Sequence, residues 1–252
     1  YFLTFAKFVL CQSPVQCDIG STQASAVLRR DCPEVKALER GVYMPRLQRV
    51  PEPHVQYAYG VYLLGHKHQL IRALKSRHQP SIHGHRSWDS AFLMMDYLVH
   101  NPLNKGASVM ELGCGWGAVA IFCAKKFSAT VTGVDLDAQV FPFLGVLAEI
   151  NDVEIDTQCA DFKQLKAKEL GAHNVIVGSD ICFWDSLVEP LARLVVRAMK
   201  ANTQKIIIAD PGRPTFYEFC DRVAKHYPLQ LQEWYSVEPD KFTGEVVEIR
   251  NK

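Results

Sequence analysis

Residues 108 to 118 read Ser-Val-Met-Glu-Leu-Gly-Cys-Gly-Trp-Gly-Ala, and this run decides the fold. Ser108 to Leu112 has the length and apolar character of a short buried strand. Gly113, Gly115 and Gly117 follow at once, and without Cβ atoms they let the backbone turn tightly and approach a ligand closely. Trp116 to Phe127 then continues at helical spacing, so the first N–H groups of the helix face whatever rests on the turn. Gly113, Gly115 and Ala118 also satisfy the G-x-G-x-x-G/A dinucleotide pattern, and Asp135 ends the next strand about 20 residues on, where a ribose-binding acid belongs.

Working outward from the turn, strands and helices alternate from residue 87 to the end. Upstream, Trp88 to His100 predicts a helix stopped by Asn101-Pro102. Downstream the pattern predicts strand Thr130 to Val134, helix Ala138 to Asn151, strand Ile155 to Ala160, a short polar helix near Lys163 to Leu170 and strand Val175 to Gly178. Helix Leu187 to Met199, strand Lys205 to Ala209 and helix Phe216 to His226 follow, then strands near Leu229 to Ser236 and Glu245 to Arg250 with no helix between them. Repeated βα units imply right-handed crossovers and an α/β fold with a mostly parallel sheet, helices on both faces and an antiparallel hairpin at one edge. Residues 1 to 85 have a different texture, irregular and rich in turn signals, with one helix expected from about Tyr59 to Arg77. They read as a partly helical N-terminal extension, able to act as a lid, before a domain spanning 86 to 252.

Composition narrows the function. A chain of 252 residues suits one large α/β domain with an extension better than two full domains, at roughly 100 to 200 residues per domain. Apolar residues make up 48% and charged ones 22%, which excludes a collagen, a coiled coil or a disordered protein. Lys and Arg number 28 against 27 Asp and Glu, so no basic excess marks the chain for nucleic acid or a membrane surface, and neither partner is expected. No apolar run approaches the roughly 18 residues that span a bilayer, and the apolar Tyr1 to Leu10 lacks a basic leader and carries Lys7. The eight cysteines form no C-x-x-C pair and no zinc-like spacing; they read as reduced, mostly core thiols, and a cytoplasmic protein is expected. His66, His68, His78, His83 and His85 crowd one region, but residues 66 and 68 cannot share a helix face and no Cys or Glu stands at ligand spacing, so no metal is expected. His83 and His85, in the loop before the Trp88 helix, are placed as candidate substrate contacts.

The order strand, Glu-x-Gly-x-Gly-x-Gly, helix, strand, Asp resembles motif I and its sequel in the class I, seven-β-strand S-adenosylmethionine-dependent methyltransferases. The resemblance covers about Trp88 to Arg250 and implies a Rossmann-like seven-stranded sheet, with S-adenosyl-L-methionine as cofactor and S-adenosyl-L-homocysteine as product. It implies that Glu111 lies near the methionine end of the cofactor, over the turn formed by Gly113, Cys114, Gly115 and Gly117. It further implies Asp135 and Leu136 at the ribose, Asp161 and Phe162 at the adenine, Ser179 at the end of the fourth strand and Trp88 as the upstream Trp element. Asp161 could instead simply cap the helix that follows it.

Asp180-Ile181-Cys182-Phe183 resembles the D-x-x-Y/F motif of the family 16 protein lysine methyltransferases. Asp210-Pro211-Gly212-Arg213-Pro214 is similar to a segment of one branch of that family, the enzymes that methylate the β-subunit of electron-transfer flavoprotein. Phe183 stands where Tyr is commoner, and Trp184 follows it. This resemblance implies Asp180 and Phe183 as catalytic residues and a protein substrate presenting a lysine. Lysine methylation needs the neutral amine, and at a free pKa of about 10.4 neutralising it near pH 7.4 costs about 4 kcal/mol at ~1.36 kcal/mol per unit. Phe183 and Trp184 could wall an apolar slot that lowers this cost, with Asp180 orienting the amine; the alternative is that both rings pack under the helix that follows. Arg213 could meet an acidic surface of the acceptor or pair with Asp210 to shape its loop.

Because fold does not fix substrate, a small-molecule N- or O-methyltransferase is the second reading. A nicotinamide-dependent oxidoreductase fits the glycine pattern, but the chain shows no second catalytic domain and no Tyr–Lys pair. Against a non-catalytic scaffold stand the intact Glu111, Gly113, Gly115, Asp135 and Asp180.

Overall fold

The computed structural model describes residues 53–81, 84 and 86–251, so His83 and His85, like residues 1–52, lie outside the described residues. The described chain opens on an antiparallel hairpin, β1 (Val55–Ala58) and β2 (Val61–Leu64), followed by helix α1 (Gln69–Lys75). The sequence predicts one helix from about Tyr59 to Arg77, and only its second half is helical. Tyr59 and Gly60 both take positive φ, 50° and 84°, forming the two-residue turn that joins twisted hairpin strands. Around that turn Val55, Tyr57, Val61 and Tyr62 are β-branched or aromatic and pair across it.

The alternating part follows the expected order, with most bounds within two residues. It comprises α2 (Asp89–His100), β3 (Ser108–Leu112), α3 (Ala118–Phe127), β4 (Thr130–Asp135) and a 3-10 turn, Ala138–Val140, that runs into α4 (Phe141–Ile150). β5 (Asp156–Cys159), α5 (Ala167–Leu170), β6 (Val175–Ser179), α6 (Asp185–Lys200) and β7 (Lys205–Asp210) come next. α7 (Pro214–Ala224), β8 (Leu229–Ser236) and β9 (Phe242–Arg250) complete the chain. The sheet order is β5-β4-β3-β6-β7-β9-β8, parallel from β5 through β7, with β9 antiparallel to β7 and β8 antiparallel to β9. Helices cover both faces of this sheet.

The period of a strand sets which face each residue serves. Met110 and Leu112 of β3 join Ile206 and Ile208 of β7 in a core completed by Leu191 and Leu194 of α6 and Phe216 and Phe219 of α7. Val109 and Glu111 therefore face the other way, toward α3. Buried positions in α6 recur at helical spacing, Val188, Leu191, Leu194, Val195 and Ala198, so this helix lies along the sheet and fixes the segment that leads into it. The strand order reverses between β3 and β6, and a crevice opens beyond their carboxyl ends. The hairpin packs on this domain through Asn151, whose side chain accepts from Tyr62 N at 2.9 Å and donates to Tyr62 O at 2.8 Å. No described helix is long and apolar enough to cross a membrane.

Candidate active site

The turn after β3 is built as its sequence demands. Gly113, Gly115 and Gly117 all take positive φ, 62°, 50° and 76°. A Cβ at Gly113 would lie 2.7 Å from Ile181 Cγ2, and one at Gly117 would lie 2.6 Å from Leu144 Cγ. Asp135, at the end of β4, clamps the turn: its Oδ2 accepts from Gly115 N at 2.9 Å and its Oδ1 from Asp137 N at 3.0 Å. Burial raises the Asp135 pKa, against the pull of these N–H groups.

Glu111 lies beneath the turn, on the α3 side of the sheet, and is only 2% exposed. Its Oε2 accepts from Ala120 N at 2.8 Å, taking up one of the first N–H groups of α3. Burial pushes its carboxyl pKa up to about 8; the Ala120 hydrogen bond opposes the shift and the charge of Asp135 adds to it.

Beyond the strand ends lies a cavity that brings together most of the residues singled out from sequence. Trp88, Gly113, Gly115, Asp135, Leu136, Asp161, Phe162, Ser179, Asp180, Phe183 and Trp184 all line it. Glu111, Cys114, Gly117 and Arg213 are not in its wall; they support it from behind. Asp137, Ala160, Ile181 and Leu187 also line it without having been singled out, as do Gly84 and Arg86, which the sequence placed only within a loop able to contact substrate. For Arg86 the available signal was a basic residue two positions before Trp88. Asp161 has its Oδ1 on Lys163 N at 2.8 Å, so it closes a local turn as well as facing the cavity; α5 begins only at Ala167.

Asp180 carries the least ordinary backbone of the site, with φ 61° in the left-handed region. Its N–H donates to Ala209 O at 2.9 Å, which ties the end of β6 to β7. Its Oδ1 pairs with Arg213 Nη2, and Ser90 Oγ of α2 donates to its Oδ2 at 3.3 Å. Arg213 reaches the other way to the fully buried Asp210, whose Oδ2 is 2.8 Å from Nη1. Asp210 Oδ1 holds Gly212 N at 3.0 Å and Arg213 N at 2.9 Å. Of the two roles weighed for Arg213, its guanidinium is engaged in shaping the loop, and it extends this grip to Asp180. Burial raises the Asp210 pKa, with Arg213 opposing the shift.

The rings of Phe183 and Trp184 meet edge to face, 4.8 Å between centroids. Trp184 is 46% exposed, so it opens onto the cavity and solvent and does not pack under α6. Among the described residues no three His, Cys, Asp or Glu side chains are grouped to hold a metal.

A family model described as a methyltransferase domain matches residues 109–202, the span from β3 through α6 that builds the turn and most of the cavity. The domain is a class I methyltransferase. This decides between the two nucleotide readings of the glycine turn. Its cofactor is S-adenosylmethionine, and the cavity suits that molecule: acids for ribose hydroxyls and cationic groups, glycines for close approach, and Leu136, Ala160 and Phe162 for an apolar base.

This methyltransferase domain is similar to several characterised proteins. The chain is 28% identical over 131 residues to electron transfer flavoprotein beta subunit lysine methyltransferase of Xenopus laevis, covering 51% of this chain and 52% of that protein. It is 26% identical over 156 residues to (S)-coclaurine N-methyltransferase of Papaver somniferum, covering 59% of this chain and 40% of that one. Of solved structures, a methyltransferase from Pyrococcus furiosus shares the fold with a TM-score of 0.51 at 15% identity, covering 64% of this chain and 83% of that chain. The chain spans about half the length of the curated relatives it matches first, 52% and 58%.

Proposed function

We propose that this methyltransferase domain transfers the methyl group of S-adenosylmethionine to a lysine side chain of a protein. The observation that carries the reading is the pairing of Asp180, anchored by Arg213, with an aromatic wall that stays open to solvent at Trp184. A protein lysine must enter such a site from outside on a long stem, whereas a small acceptor calls for closure around it. The similarity to a lysine methyltransferase over 131 residues supports the same class of acceptor.

The chemistry follows from the residues. The bound cofactor supplies an activated methyl group on a sulfonium. Phe183 and Trp184 shed water from the incoming side chain and favour its neutral form. Asp180 Oδ2, which already accepts from Ser90, has a second lone pair to accept an amine N–H and aim the nitrogen lone pair at the methyl. Arg213 prevents Asp180 from turning away. As the new N–C bond forms, the C–S bond breaks and its electron pair stays on sulfur; the proton of the new methylammonium leaves to water.

A small-molecule amine acceptor is the second reading, favoured by the similarity to (S)-coclaurine N-methyltransferase. Labelled S-adenosylmethionine added to an unmethylated cell extract, then separated into protein and small-molecule fractions, discriminates the two. Label on a discrete protein, traced to lysine and lost with Asp135→Ala, is expected; label in small molecules alone refutes the lysine reading. Asp180→Ala is expected to abolish transfer while S-adenosylhomocysteine affinity stays nearly intact, and retained turnover would remove Asp180 from its assigned role.

A further inference from the structure

Among the described residues the wall of the cofactor cavity contains four carboxylates, Asp135, Asp137, Asp161 and Asp180, and one cation, Arg86. S-adenosylmethionine carries two positive groups, the sulfonium and the α-ammonium, and one negative group, its carboxylate. The acids suit the positive groups and the ribose hydroxyls. Asp180 is already paired with Arg213, but a carboxylate placed near Asp135, Asp137 and Asp161 is repelled by them and is favoured by a positive partner. We propose that Arg86 binds the carboxylate at the methionine end of the cofactor.

The position of Arg86 fits this role. Its guanidinium lies over the Trp88 ring, 4.1 Å from the centroid. Stacking fixes the plane of the group and leaves its N–H edges to meet an anion side-on. Among the described residues Arg86 makes no ion pair, and its exposed side chain rests on the Trp88 ring. Arg86 also lines a second cavity of about 450 Å³ together with Ser87, Asp89, Phe92 and Trp116. Trp116 belongs to the glycine turn, and Gly113 and Gly115 of that turn line the cofactor cavity. Arg86 thus lines both cavities, one of them walled by Gly113 and Gly115, and a cofactor seated on that turn with its amino-acid tail toward Trp88 would present its carboxylate to this guanidinium. Arg86 therefore selects an adenosyl ligand with an intact amino-acid end over one without it.

The proposal rests on the identity of the cofactor and not on that of the acceptor, so it is tested by binding alone. Isothermal titration of the whole chain is carried out with S-adenosylhomocysteine, decarboxylated S-adenosylmethionine and 5′-methylthioadenosine, for wild type, Arg86→Met and Arg86→Lys. Arg86→Met is expected to weaken S-adenosylhomocysteine by roughly tenfold or more, the scale of a hydrogen bond to a charged group. It should leave the two ligands without a carboxylate within about twofold, and Arg86→Lys should fall between. Equal weakening of all three ligands would reduce Arg86 to a support for Trp88, and unchanged S-adenosylhomocysteine affinity would remove it from the site; either result overturns the proposal.

Discussion

Glu111→Gln tests whether the acid under the glycine turn is held there uncharged. The carboxyl is fully buried, its one hydrogen bond comes from Ala120 N at 2.8 Å, and its pKa rises from 4.5 to about 8. Below the unfolded value both states bind the proton and the group has no effect on the slope. As pH climbs from 4.5 toward 8, the unfolded chain releases its proton while the folded one keeps it, so stability is lost with every unit. At ~1.36 kcal/mol per unit, the wild type loses roughly 2 to 3 kcal/mol from this residue between roughly pH 5.5 and 7.5. Glutamine keeps an oxygen for the Ala120 N–H and has no proton to lose. Asp135, also raised by burial, titrates in both proteins and cancels from the difference. Urea unfolding at several pH values in this window measures the result: the stability of Glu111→Gln relative to wild type should grow with pH by that amount. Two curves that run parallel within roughly 0.5 kcal/mol would show that Glu111 is already ionised in the folded protein, and the reasoning from burial would fail.

Gly117→Ala forces an L side chain to φ 76° and sets its Cβ 2.6 Å from Leu144 Cγ; a loss of roughly 3 kcal/mol in chemical denaturation is expected, and a change under about 0.5 kcal/mol would mean that the turn relaxes freely. Arg213→Met leaves Asp180 and the buried Asp210 without their cation; because the guanidinium is 30% exposed, the cost should be about 2 kcal/mol, below the ~3 to 5 of a fully buried pair, and an unchanged unfolding midpoint would count against the bridge. Tyr59→Phe removes a hydroxyl that donates to Asp96 Oδ2 at 2.7 Å and accepts from Val237 N at 2.9 Å and Glu238 N at 3.1 Å. It should cost about 2 kcal/mol and speed hydrogen exchange at Val237 and Glu238, while unchanged exchange would show that the hairpin does not hold that loop.

β3 was legible to the residue because an apolar run stopped by glycine has one reading, and the order of the remaining strands and helices followed from the same contrast of periods. The hairpin at Val55–Leu64 was not. Its apolar positions 61, 64 and 71 suit a helix, Tyr59 is no turn signal, and what settles the strand is the packing of Tyr62 on Asn151, 89 residues away. That Gly113, Asp135, Asp161 and Asp180 line one cavity was legible because each stands at or just beyond the end of a parallel strand, where this fold opens its crevice. The hold of Arg213 on Asp180 spans 33 residues and leaves no mark in local spacing. It follows only from register: Ser179 pairs with Ala209, so Asp180 and Asp210, one residue further along each strand, become neighbours.

That register poses an electrostatic problem whose solution bears on the acceptor. Two carboxylates placed side by side at the ends of β6 and β7 repel each other, and one of them, Asp210, is fully buried. Arg213 lies between them and cancels one charge, leaving the pair with a net charge of about −1. The remaining negative charge is carried toward the cavity, because Asp210 spends its oxygens on Arg213 and on its own loop, while Asp180 lines the wall beside Phe183 and Trp184. Under the proposed lysine reading, an acceptor approaching there as an ammonium would be attracted by the carboxylate and then meet rings that favour its neutral form, so that capture and activation would fall to adjacent groups. On the same reading an acidic group would meet repulsion at the same point, so a basic amine is expected to be taken in preference to a carboxylate or phosphate.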